Sequence, residues 1–135
     1  MYGQFFPAMQ GQKSKMSSGA DAGANLLLTD SPADVKKKIN KYAFSGGGVT
    51  LEEHKKNGGN VEIDVPFQYL RFFLEDDAKL EDIRVRYSKG EMMTGEIKQA
   101  AIDCLGKVVT EYQERRKKIT DKEADKVLEV RQLLI

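Results

Sequence analysis

The sequence predicts a mainly α-helical fold entered through a loop and one short strand, and three observations carry that expectation. Beyond residue 31, apolar residues recur at steps of three or four, the period of helices with one buried face. Ser, Thr or Asp residues able to cap a helix stand before most of those stretches, and glycines follow several of them. Residues 1–23, rich in Gly, Ser, Ala and Gln, have no such period.

Taken in order, residues 1–23 read as loop, with Phe5, Phe6 and Met9 as packing anchors. Asn25 to Thr29 holds three leucines in a row, short enough for a buried strand, and Asp30-Ser31-Pro32 ends it. Leucine is less β-prone than Val or Ile, so the strand rests on length more than on propensity. Ser31 caps a helix that opens on Pro32, where a missing N–H costs nothing. Val35, Ile39 and Tyr42 or Ala43 line its buried face, and Ser45-Gly46-Gly47-Gly48 stops it. Thr50 and Glu53 have capping-box spacing, opening a short helix that Gly58-Gly59 closes. Asp64 and Pro66 start the next one, whose stripe of Phe67, Leu70, Phe73 and Leu74 is the densest core candidate. Leu80, Ile83, Val85 and Tyr87 mark a further helix ending at Lys89-Gly90. Thr94 is the expected cap of the longest helix, with Ile97, Ala101, Cys104, Leu105, Val108 and Tyr112 on one side. Thr120 and Glu123 repeat the capping box and begin a last helix running to about Leu134.

Composition narrows the function classes. A chain of 135 residues with 40% hydrophobic and 32% charged residues is sized and balanced for one packed domain. Its longest leucine run is far shorter than the ~20 apolar residues that span a bilayer. Cys104 is the only cysteine and His54 the only histidine, so an internal disulfide and a Cys/His zinc site are both excluded. The net charge of +1 supplies no strong overall field. Charge is nevertheless segregated. Lys36, Lys37, Lys38 and Lys41 form one basic face, Arg115 to Lys118 another, and Glu75 to Asp82 includes an acidic stretch between them. Either basic run is also what a solvated helix face looks like.

Lys13-Ser14-Lys15-Met16-Ser17-Ser18-Gly19 is the segment that most invites chemistry. A compact ammonium on a flexible stem can follow charge onto a leaving phosphate, and neighbouring hydroxyls can donate beside it. Gly11 and Gly19 give such a loop freedom to open and close. It is no P-loop, because Gly-x-x-x-x-Gly-Lys-Ser/Thr occurs nowhere in the chain. An ordinary flexible loop has the same composition. A phosphate loop also needs a pocket to close over, so the chain is expected to be the C-terminal piece of a larger nucleotide-using protein. Asp76 and Asp77 lack a third ligand, and a helix cap explains them better than a metal does. Glu111 and Glu114 beside Arg115 and Lys118 read as helical side-chain pairs. His54 reads as a polar surface or capping residue, with an RNA-facing role as the alternative. Phe73 belongs to the core stripe, while Phe72 sits one step aside.

A resemblance gives these segments a common meaning. Phe5 to Gly11, Lys15-Met16-Ser17-Ser18 and Leu28-Thr29-Asp30 resemble the end of the catalytic domain of eukaryotic-type tryptophanyl-tRNA synthetases. Ala43 to Gly47, Glu53-His54, Gly58-Gly59-Asn60, Asp64-Val65, Tyr69-Leu70, Phe72 to Asp77, Thr94-Gly95-Glu96 and Gln113 to Lys117 follow that family's C-terminal domain in order. The resemblance implies a class I Rossmann-type catalytic domain, whose last loop and strand are residues 1–31, and a helical anticodon-binding domain in residues 32–135. It implies that ATP with Mg2+ is the nucleotide and that tRNA-Trp is the partner. It further implies a homodimeric, cytoplasmic parent ligase that contains the upstream catalytic portion. Lys15, Ser17 and Ser18 would act on the phosphates, and Met16 would sit near the adenine. Gly19 stands where the family normally has Ser. Val49 follows the Ser-Gly-Gly turn where some relatives have an Asp that reads an anticodon base, so base reading needs another group or the backbone. Lys98 matches a basic position near the anticodon, and one of Lys38 or Lys41 is expected beside it. The isolated chain is expected to be inactive as a ligase. The competing readings are a non-catalytic helical RNA-binding module and a protein-interaction module.

Overall fold

The computed structural model describes residues 6–11 and 23–129, and within them the chain is built of helices with no strand. They are α1 (Pro32–Tyr42), α2 (Leu51–Asn57), α3 (Val65–Phe73), α4 (Asp77–Ser88), α5 (Thr94–Lys117) and α6 (Asp121–Leu128).

Most starts follow from the capping chemistry written in the sequence. Ser31 Oγ accepts from the Asp34 N–H at 3.2 Å and the Asp34 carboxylate accepts from the Ser31 N–H at 3.2 Å, a complete capping box. The Ser31 hydroxyl, donating to the Asp34 carboxylate at 2.6 Å, and then the Ser31 N–H hold that carboxyl below its ordinary range. Thr50 caps α2 through the Glu53 N–H, but the Glu53 carboxylate takes the N–H of Val49, one residue earlier than a full box requires. Asp64 caps α3, Asp76 caps α4 through the Lys79 N–H at 3.0 Å, and Thr120 with Glu123 boxes the start of α6. Asp76 is thus a helix cap.

Helix α5 begins differently. Met93 occupies the cap position and Thr94 is the first helical residue; Glu96 alone closes the end by accepting from the Met93 N–H at 2.7 Å. The Thr94 hydroxyl is turned away to Ser45 Oγ, 3.4 Å distant.

The core lies on both flanks of α5 and α3. One cluster joins Met9, Val35, Ile39, Val65, Tyr69, Ile102, Leu105 and Val109. The other joins Val61, Phe67, Leu70, Ile83, Tyr87, Met92, Ile97 and Ala101. Helix α3 therefore divides its residues between two clusters, Tyr69 to one and Phe67 with Leu70 to the other. Fully buried side chains such as Ile39, Leu70 and Ile97 each contribute about 1.5–3 kcal/mol by leaving water.

Besides Thr94 as the cap of α5, three expectations are corrected. Asn25 to Thr29 is a turn and not a strand: the Asp30 N–H reaches the Leu27 carbonyl at 3.0 Å, and the Asp30 carboxylate accepts from the Leu27 N–H at 2.8 Å. No strand among the described residues offers a ladder to pair with, so the side chain of Asp30 captures the backbone instead. Leu27 and Leu28 are half-exposed as a result. Phe73 is not core, for it and Phe72 lie partly open around Phe6, with ring centroids 5.8 and 5.0 Å away. His54 is not a surface residue, being only 3% exposed. The expected continuation of the last helix beyond residue 129, and Phe5, lie outside the described residues.

Candidate functional site

Two of the three predicted basic residues, Lys41 and Lys98, meet at the C-terminal end of α1, where unpaired carbonyls and the helix dipole favour cations. Lys98, one turn into α5, directs Nζ towards the Asn40 carbonyl at 3.4 Å. Lys41, the next residue along α1, lies exposed with its ammonium 4.8 Å from the centroid of the Tyr42 ring. The Tyr42 side chain, as hydrogen-bond partner, holds the Lys41 ammonium above its ordinary value.

Lys38 has a different situation. Its Nζ contacts both Asp30 carboxylate oxygens at 2.7 and 2.8 Å and the Asn25 carbonyl at 2.8 Å. The two side chains of this pair are only 16% and 11% exposed. Lys38 thus fastens residues 25–30 to α1, and from α5 the Gln113 amide donates to the Leu28 and Asp30 carbonyls at 3.0 and 2.9 Å.

Beside this basic end, the Ser45-to-Thr50 turn is fixed from within. Asp64 is fully buried and accepts from the Gly46 N–H at 2.9 Å, the Phe67 N–H at 2.9 Å and the Tyr87 hydroxyl at 2.8 Å. Burial pushes its carboxyl above the ordinary range against the pull of those donors. Burial, with the Asp64 charge beside it, pushes the Tyr87 phenol up to about 12. Ser45 Oγ lies 3.3 Å from the Tyr87 hydroxyl and 3.4 Å from Thr94 Oγ1, tying the turn to the start of α5. His54 completes the frame, accepting from the Gly48 N–H at Nδ1 (3.3 Å) and meeting the Met92 carbonyl at Nε2 (2.9 Å). A side chain at Gly47 would stand 2.5 Å from Thr94 Oγ1 and 3.0 Å from His54 Nδ1, which explains a glycine there. Val49, 96% exposed, projects at the tip.

The sequence pointed to Lys98, Lys38 and Lys41 and marked Val49 as a departure from the family, but it missed the buried Ser45–Asp64–Tyr87 and His54 network beside them. The available signal was a cap residue at Asp64 followed by a segment dense in apolar and aromatic residues, Val65, Pro66, Phe67, Tyr69 and Leu70, a setting in which a carboxylate must find buried donors. Lys15, Met16, Ser17 and Ser18 lie outside the described residues. No group of three or more His, Cys, Asp or Glu residues poised to hold a metal occurs among the described residues. A groove of about 690 Å³ between α4 and α5, floored by Leu70, Ile83, Ala100 and Cys104, contains none of the predicted residues.

The sequence profile of the class I tRNA synthetases for W and Y matches residues 1–110, and the chain belongs to that family. Within it, the chain is 50% identical to the cytoplasmic tryptophan–tRNA ligase of Oryctolagus cuniculus over 98% of its own length and 28% of the relative's. It is 48% identical to the cytoplasmic tryptophan–tRNA ligase of Dictyostelium discoideum, covering 98% of the chain and 33% of that protein. The solved tryptophanyl-tRNA synthetase of Giardia lamblia superposes with a TM-score of 0.84 at 43% identity, over 90% of this chain and 30% of that one. The chain therefore spans about a third or less of these relatives. Among the described residues, no helix is long and apolar enough to cross a membrane.

Proposed function

We propose that the chain is the C-terminal part of a cytoplasmic tryptophan–tRNA ligase, in which α1, the Ser45-to-Thr50 turn and α5 receive the anticodon arm of tRNA-Trp. The observation that carries this reading is the meeting of Lys41, Lys98 and the exposed tip at Val49 at one end of the bundle, in a chain half-identical to cytoplasmic tryptophan–tRNA ligases. Cations that touch phosphates set affinity and register on the RNA, while a framed turn carrying few charges suits contact with bases splayed from a loop. Lys41 is the better second cation, because Lys38 is occupied by Asp30.

In the same reading, residues 1–31 close the catalytic domain and residues 32–135 form the anticodon-binding domain, and the parent is a homodimer. ATP, bound with Mg2+, supplies the adenylyl group that activates tryptophan. Lys15 neutralises charge building on the departing pyrophosphate, Ser17 and Ser18 orient the phosphates, and Met16 lies against the adenine. The isolated chain lacks the opposing half of such a site and carries out no activation by itself.

The decisive experiment uses the full-length protein. Lys15→Ala should slow tryptophan-dependent ATP–pyrophosphate exchange by ~10²–10³, the scale of losing one donor to a developing anion. The Michaelis constant for ATP should move much less, since the contact strengthens in the transition state. An unchanged exchange rate would remove the loop from the chemistry, and exchange by the 135-residue chain alone would refute its dependence on the rest of the enzyme.

A further inference from the structure

The turn that carries Val49 is held more firmly than a surface turn requires. Gly46 is bonded through its N–H to Asp64, Gly48 through its N–H to His54, and Ser45 touches both Tyr87 and Thr94. The chain then displays Val49 and Leu51, 96% and 61% exposed, two aliphatic side chains that the fold does not use. A rigid frame around an exposed tip is how a recognition contact is kept in register. Within that frame His54 has a distinctive position. The Gly48 N–H requires a lone pair on Nδ1, which places the proton on Nε2, where the Met92 carbonyl accepts it. One neutral imidazole thereby spans the turn and the residue just before the α5 cap. The Tyr87 ring, centroid 5.2 Å away, closes one side of it.

We infer that His54 is a positioning residue for RNA recognition: in its Nε2–H tautomer it locks the Gly46-to-Thr50 turn to the entrance of α5, so that Val49 and Lys98 meet the RNA in fixed register. The inference rests on the proposed anticodon-arm reading and adds the group that makes the tip discriminating. His54 itself is buried and touches no RNA.

Two substitutions separate the two ring nitrogens. His54→Asn places an amide oxygen near Nδ1 and retains an acceptor for Gly48, whereas His54→Gln places its amide near Nε2 and abandons Gly48. Amide hydrogen exchange at Gly48 and Val49 is measured in the full 135-residue chain. Binding is measured to a tRNA-Trp transcript and to the same transcript with a changed anticodon. His54→Gln should speed Gly48 exchange at least ~10-fold and bring the two affinities together. His54→Asn should keep Gly48 protected but, with the tie to Met92 lost, should also bring the two affinities together. In wild type, nitrogen NMR should show Nδ1 unprotonated and a protected Nε2–H, a readout that needs no variant to fold. Unprotected Gly48, a proton on Nδ1, or His54→Gln discriminating as well as wild type would each overturn the inference. If wild type binds both transcripts equally while Gly48 is protected, the anticodon reading itself fails, and His54 is left a structural clamp.

Discussion

Lys38 and Lys98 were both expected near the anticodon, and the structure leaves their ammonium groups in different surroundings. The Lys38 ammonium is enclosed by Asp30 and the Asn25 carbonyl, whereas Lys98 makes one long contact to a helix-end carbonyl and Lys41 lies open over Tyr42. Lys38→Ala should therefore destabilise the chain by ~1.5–3 kcal/mol, the range for hydrogen bonds to a charged group, in urea denaturation. Lys41→Ala and Lys98→Ala should leave the denaturation midpoint nearly unchanged and weaken tRNA binding. Each should flatten the dependence of log affinity on log salt by less than ~0.9, one phosphate contact's worth. An unaltered affinity and slope in both would take this end of the bundle out of RNA binding. The charge pattern set Lys38 and Lys41 on one helix, but it could not tell an enclosed ammonium from an exposed one. That distinction depends on Asp30, which comes beside Lys38 only once residues 25–30 have turned.

Helix boundaries were the most legible feature, because their signals are local. Ser31 with Asp34, Asp64, Asp76 and Thr120 with Glu123 satisfy the first N–H groups of α1, α3, α4 and α6 in the manner their spacing announces. The failures required distant partners. A strand at Asn25 to Thr29 needs a neighbour for its backbone, and the stripe holding Phe73 reveals a direction without saying what covers it. His54 was misread for the same reason: its acceptor, Met92, lies 38 residues ahead. Glycine was legible as a stop signal but not as a packing requirement. Gly58 closes α2 at φ +73°, and a side chain there would collide with the Ser88 carbonyl at the end of α4. Gly58→Ala should cost at least ~1–3 kcal/mol from the backbone conformation alone, with the collision added. A thermal unfolding midpoint equal to wild type would show that the α2–α4 junction yields more easily than this geometry allows.

Across the whole molecule, the two clusters share an alkaline weakness. Burial raises Tyr69, in one cluster, and Tyr87, in the other, from 10.0 to about 12. In both, the folded state favours the protonated phenol, so their contribution is complete below pH 10 and is lost as pH rises through 12. Tyrosinate absorbance followed with circular dichroism should show these two of the five tyrosines ionising only as the helical signal falls. Uniform titration near pH 10 with helices intact would contradict that coupling. The fastening of residues 25–30 has a mechanical consequence. Lys38 grips this segment from α1 and Gln113 grips it from α5, across 83 and 85 positions of sequence. A short piece of chain clasped by two different helices cannot swing independently of them. It moves as a crank arm fixed to its shaft, so a rotation of the bundle is delivered at Asn25 as displacement, with little lost to bending on the way.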